Sequence, residues 1–285
     1  MLSTLLASIL ASATLPPGTC TLIADSAGKV VFERGSGCAE RTTPASTFKI
    51  PLALMGADAG WILGAHLPKL PYQERYQASL PAHRRATDPA LWQTESVVWY
   101  SQELTAALGM ERFQSYVERF AYGNHDVSGN PGKSDGLSRS WLSSSLAISP
   151  AEQINFLARV RGRKLGVSPR AHEILDSIMP RFAGPSGWTV AGKTGSSNAD
   201  SAAQESPVGW FVGWIERDGR APYLFVRREI GQVPRGSFGG GAARKSFLDS
   251  LGGWLPAFDG TKPAPQRIHD PHGRGPRQPV DVLPL

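Results

Sequence analysis

The sequence predicts an α+β fold within the broad α/β class: an antiparallel sheet of about five to seven strands, flanked by helices, with a mostly helical lobe inserted into it. Two observations carry this. Strand-type apolar runs gather towards the two ends of the chain, at 19–33 and 188–229, while helix patterns fill the stretch between them. The chain also has 285 residues, 41% of them hydrophobic and 19% charged, which suits a soluble globular protein with a sizeable core.

Taken in order, residues 19–25 and 29–33 are apolar-rich runs separated by Ser26-Ala27-Gly28, the pattern of a β-hairpin. Thr43-Pro44 reads as a helix start, with Thr as cap and Pro in the first turn. That helix should run to about Gly60, kinked at Pro51. Further helices are predicted over 96–108, 111–120, 150–161 and 169–179, and Ser149-Pro150-Ala151-Glu152 has the form of a capping box. Between 123 and 140, Gly, Ser, Asn and Pro accumulate, which predicts a long loop of the kind that often carries function. Strands return over 188–193, 208–216 and 223–229, the last two joined by the turn signal Arg217-Asp218-Gly219-Arg220. A helix over about 242–251 closes the fold. Residues 259–285 are rich in Pro, Gly, Arg and His without apolar periodicity and read as a disordered tail.

Residues 1–18 read as a signal peptide and leader. Leu5-Leu6-Ala7-Ser8-Ile9-Leu10 is an apolar stretch, and Ala11-Ser12-Ala13 has the small-x-small form of a cleavage site near 13. No basic segment precedes it, and an N-terminal helix of the fold is the alternative reading. The remainder divides into one domain over 19–258, with a sheet lobe at about 19–45 and 187–258 and a helical lobe at about 60–186, followed by the tail. No apolar run reaches the length of a membrane span.

Cys20 and Cys38 flank the predicted hairpin and would suit a disulfide in an oxidising compartment; two free buried thiols are the alternative. No close His pair accompanies them, which argues against zinc. The net charge of +6 comes from scattered basic residues rather than a Lys/Arg block interleaved with aromatics, so nucleic acid is not an expected partner.

Chemistry concentrates at Ser46-Thr47-Phe48-Lys49. Residues three apart on a helix are neighbours, so the Ser46 hydroxyl and the Lys49 amine can meet. A serine hydroxyl needs an adjacent base to act as a nucleophile, and lysine serves only if apolar burial disfavours its ammonium. Phe48, Ile50, Leu52 and Leu54 offer such surroundings. Alone, S-x-x-K is a pattern a chain of this length meets about once by chance. Three further motifs follow in order: Ser96-Val97-Val98 opening a helix, Tyr122-Gly123-Asn124 at the mouth of the long loop, and Lys193-Thr194-Gly195 ending a strand. Each has a plainer reading as a cap, a turn or a strand edge. Their joint occurrence points to acyl transfer.

With Pro44-Ala45-Ser46-Thr47-Phe48-Lys49-Ile50-Pro51, Tyr122-Gly123-Asn124, Trp141-Leu142 and Trp210-Phe211-Val212-Gly213-Trp214 in view, the chain over about 19–257 resembles the class D serine β-lactamases, the oxacillinases. The wider penicillin-recognising group shares the serine, lysine and K-T-G elements, and many of its members have Asn where Val98 stands here.

The resemblance implies hydrolysis of β-lactams, penicillins foremost, through an acyl-Ser46 intermediate, and antibiotic resistance as the outcome. It implies that Lys49 is carbamylated by CO₂ and acts as general base, with Trp141 donating to the carbamate. Ser96 and Lys193 would relay a proton to the departing lactam nitrogen. Backbone N–H groups of Ser46 and Ser196 would hold the oxyanion, and Lys193, Thr194 and Arg244 would bind the substrate carboxylate, with Gly195 and Val98 also lining the substrate. Tyr122 and Asn124 would shape the site, and Tyr122 implies inhibition by chloride. No metal or organic cofactor is implied beyond CO₂, nor a nucleic-acid partner or a membrane span in the mature form. The protein would be a monomer or homodimer in the periplasm of a Gram-negative-type bacterium. The alternatives are a β-lactam sensor domain with slow deacylation and a D,D-peptidase, against which Val98 argues.

Overall fold

The computed structural model describes residues 18–197, 206–234 and 237–260. Of the leader predicted at 1–18, residues 1–17 lie outside the described residues, as do residues 261–285 of the tail predicted at 259–285; Asp259 is instead the last residue of the closing helix. Strands β1 (Cys20–Ala24) and β2 (Val30–Gly35) form the expected hairpin. Asp25 closes it, its Oδ1 accepting from the backbone N–H of Ala27 and of Lys29, each at 3.0 Å. A 3-10 turn, Ala45–Phe48, leads into α1 (Lys49–Asp58). There follow α2 (Pro89–Glu95), α3 (Val98–Leu108), α4 (Met110–Arg119), α5 (Gly136–Arg139), α6 (Pro150–Arg161) and α7 (Pro169–Ile178). The chain then returns to the sheet with β3 (Arg181–Ala183), β4 (Thr189–Ser197), β5 (Val208–Glu216) and β6 (Tyr223–Ile230), and ends in α8 (Gly239–Asp259).

The six strands are antiparallel in the order β2-β1-β6-β5-β4-β3. The sheet is the middle layer. On one face α8 packs Phe247, Leu251 and Trp254 against Ile23, Phe211 and Phe225. On the other, Trp210, Val212 and Val226 join α1, α3 and α6 in the larger core. Burial on both faces explains why β5, buried from Val208 to Ile215, reads as an unbroken apolar run rather than an alternating one. The predicted disulfide is present: Cys20 on β1 bonds Cys38 just beyond β2, with Cα atoms 5.4 Å apart.

Several boundaries differ from the sequence reading, each for a physical reason. Thr43 caps no helix, because its hydroxyl donates to the Trp141 carbonyl at 2.9 Å and accepts from the Ser143 N–H at 3.0 Å. Pro51 makes no kink: it is the third residue of α1, where the missing N–H has no intrahelical partner to lose. Ser96 does not open a helix. It is the C-cap of the unforeseen α2, in the left-handed region at φ 63°, and α3 starts at Val98. The stretch 123–140 is irregular except for the one-turn α5. Strand β4 continues to Ser197, paired with Val208, so Lys193-Thr194-Gly195 lies within a strand rather than at its end. The short edge strand β3 was not anticipated, and α8 extends past the predicted 242–251 at both ends. Its C-terminal extension carries Trp254, whose ring packs 5.3 Å from Phe32, and that burial outweighs Pro256 within the helix.

Candidate active site

The 3-10 turn brings Ser46 against β4. Thr47 ties the turn down by donating from Oγ1 to the Pro44 carbonyl at 2.7 Å. Opposite, β4 can approach only because residue 195 is glycine. A Cβ there would stand 2.9 Å from the Pro44 carbonyl oxygen and 3.0 Å from Thr47 Cγ2. Phe48 anchors the turn from below, with ring centroids 5.1 Å from Tyr122 and 5.6 Å from Trp141.

One helical step on, Lys49 is fully buried and its Nζ lies 3.1 Å from Ser46 Oγ. Burial first, and the Lys193 charge second, hold this amine well below the usual lysine range. The Trp141 indole N–H, buried under the same turn, has no hydrogen-bond partner among the described residues, an arrangement that costs about 1–3 kcal/mol. Tyr122 is buried as well; its hydroxyl accepts from Gln153 Nε2 at 3.2 Å, and the same amide reaches Thr47 Oγ1 at 3.1 Å. Burial raises the Tyr122 pKa, so the phenol stays neutral.

Lys193, only 1% exposed, completes the floor. Its Nζ donates to Ser96 Oγ and to the Thr194 carbonyl, both at 3.0 Å. Burial, with the Arg244 charge adding to it, lowers its pKa to about 7. The left-handed turn at Ser96 is what lets a hydroxyl between two helices reach this ammonium.

Above these groups opens a cleft of about 630 Å³, lined by Ser46, Ser96, Val98, Thr194, Ser196 and Arg244 among others. The Arg244 guanidinium rests 4.9 Å from the centre of the Phe182 ring on β3. Among the described residues no carboxylate pairs with Lys49 or Lys193. Lys193 and Arg244 give the cleft a positive side suited to an anion, while the buried Lys49 amine is held towards its neutral form.

Asn124 stands apart from this set. Its side chain donates to the Ser145 carbonyl at 2.8 Å and accepts from the Ala147 N–H at 3.0 Å, holding the loop that carries Trp141. Sequence reading missed Thr43, Gln153 and Gln93, which orient the turn from behind. Gln93 sits on α2, whose start signal, Asp88-Pro89, was legible: the Asp88 carboxylate caps the Leu91 N–H at 2.9 Å. Among the described residues no group of His, Cys, Asp and Glu could hold a metal, and no helix is long and apolar enough to cross a membrane.

A serine, two buried lysines and a K-T-G strand beside one cleft define the class of penicillin-recognising serine enzymes. The penicillin binding protein transpeptidase domain family matches residues 22–251. Within that class, the chain is 44% identical over 260 residues to β-lactamase OXA-9 of Klebsiella pneumoniae, covering 85% of this chain and 94% of that one. It is 34% identical over 196 residues to β-lactamase OXA-1 of Escherichia coli, covering 69% of each. The crystal structure of the OXA-427 class D β-lactamase superposes with a TM-score of 0.78 at 43% identity, covering 84% of this chain and 99% of that one. The chain belongs to the class D β-lactamases.

Proposed function

We propose that this enzyme hydrolyses β-lactams through an acyl-enzyme on Ser46, with Lys49 as the residue that activates both the serine and the deacylating water. The observation that carries the reading is the Lys49 amine: fully buried, 3.1 Å from Ser46 Oγ, and pushed far down in pKa. A neutral amine can add CO₂, releasing a proton to solvent, and the unpartnered Trp141 N–H is a donor suited to the anion so formed. Carbamylated, the Lys49 side chain is a carboxylate-like base able to take a proton from Ser46 and later from water.

Ser46 Oγ then attacks the lactam carbonyl, and backbone N–H groups of Ser46 and Ser196 hold the oxyanion. As the C–N bond breaks, Ser96 passes a proton to the lactam nitrogen, refilled from Lys193 at 3.0 Å, whose pKa of about 7 suits either direction of transfer. Arg244, with Lys193 and Thr194, binds the substrate carboxylate, while Val98 and Gly195 complete the substrate wall, and Tyr122 and Asn124 hold its shape. Water attack frees the penicilloate and restores Ser46. The named residues all come from one chain, which serves a monomer or a homodimer alike. The disulfide supports export to the periplasm, where β-lactam hydrolysis confers resistance.

The test is turnover of a chromogenic β-lactam with and without added bicarbonate. Many turnovers per enzyme, accelerated by bicarbonate, are expected. A stoichiometric burst with no further turnover would mean a sensor that only acylates. Lys49→Ala should lower turnover by about 10²–10⁴-fold, as loss of a general base does, and leave acyl-enzyme detectable by mass; near-normal turnover would overturn the role of Lys49.

A further inference from the structure

We propose that Glu95, His83 and Gln102 form a subsite in the cleft for a protonated amine carried on the side chain of the β-lactam. The inference rests on the function proposed above and names a substrate class for it.

The cleft that holds Ser46 and Ser96 continues onto a wall built by three separate elements. These are the 3-10 turn Pro81–His83, the last residue of α2 at Glu95, and α3 at Gln102. Gln102 follows Val98 by four residues and shares its face of α3. Glu95 and Gln102 each offer an acceptor, and His83 lines the same wall. The Gln102 amide nitrogen is committed to the Ser138 carbonyl at 3.1 Å, leaving its carbonyl oxygen as the uncommitted end. His83 is 5% exposed, and its Nδ1 is buried without a hydrogen-bond partner among the described residues. Burial lowers the His83 pKa below its usual 6.5, against the pull of the Glu95 charge, so at neutral pH the ring is uncharged and does not repel a cation.

Glu95 supplies the charge. Its side chain is 35% exposed, and Arg85 engages Oε1 at 2.5 Å from outside the cleft lining. The rest of the cleft is positive, with Lys193 beneath it and Arg244 on its wall; Arg139 lines it too. A carboxylate beside Ser96 in such a cleft is complementary to a zwitterion: substrate carboxylate towards Arg244, substrate ammonium towards Glu95.

The test measures dissociation constants at pH 7 for ampicillin and benzylpenicillin, which differ by one side-chain amine, in the non-acylating Ser46→Ala background. This readout needs no turnover and so stands or falls apart from the catalytic reading. Relative to benzylpenicillin, ampicillin should weaken by about fivefold in Glu95→Gln, the effect of losing a partly exposed ion pair. Arg85→Gln discriminates a structural role. If the Glu95–Arg85 pair only holds the fold, it shifts the ratio in the same direction as Glu95→Gln, whereas a freed Glu95 carboxylate leaves the ampicillin preference equal or greater. An unchanged ratio in Glu95→Gln, parallel losses for both variants, or no binding of either penicillin overturns the proposal.

Discussion

The buried side chain of Gln93 donates from Nε2 to the backbone carbonyl of Lys49 at 2.8 Å. This bond ties α2 to the first turn of α1, and so couples the segment that ends in Ser96 to the residue paired with Ser46. Two of the chemical groups in the cleft are thereby fixed relative to each other from behind.

Gln93→Ala should remove that bond and leave buried volume unfilled, lowering stability by about 2–3 kcal/mol. Urea denaturation of the purified variant measures it. A change below about 0.5 kcal/mol would show that the bond contributes nothing to the coupling of the two helices.

Lys193 makes stability depend on pH. Its pKa falls from 10.5 to about 7 in the folded chain. Between those values the unfolded chain binds a proton that the folded chain does not, so stability rises with pH across that window. Below about pH 7 the ammonium is present in both states and the burial penalty stands in full. Lys193→Met should therefore flatten the rise in stability between pH 7 and pH 9, by an amount approaching the linkage of one proton. Denaturant midpoints at the two pH values check this; equal slopes for both proteins would contradict it.

Reduction of Cys20–Cys38 opens a loop with a sequence separation of 18. Loop-closure entropy for that length predicts a loss of about 3 kcal/mol. The double variant Cys20→Ser, Cys38→Ser should show it in chemical denaturation, with the cleft's activity retained at temperatures where the fold persists.

Arg244→Ala takes away the guanidinium that lines the cleft and is proposed to bind the substrate carboxylate. The loss of a charge-assisted pair worth about 1.5–3 kcal/mol should raise KM for a penicillin by roughly tenfold or more, with a smaller effect on kcat, in steady-state kinetics. An effect confined to kcat would assign Arg244 to the chemical step instead.

The α6 capping box and the β5 apolar run could be read from sequence because they depend on neighbours in the chain. Ser149 and Glu152 satisfy each other within one turn, and β5 is apolar on both faces wherever it is placed. The order of Ser46, Lys49, Ser96 and Lys193 was equally visible, as was the resemblance it carries. Distant contacts determined the rest. Thr43 could cap a helix on propensity alone, yet its hydroxyl serves Trp141 and Ser143, about a hundred residues away. The depressed pKa values of Lys49 and Lys193 arise from desolvation by surrounding elements, and the left-handed turn that lets Ser96 meet Lys193 is set where α2 ends against α3. By itself the sequence determined which reactive groups are present and in what order. Tertiary packing decided their charge states and their distances, because burial and long-range hydrogen bonds exist only once the sheet and helices have closed over them.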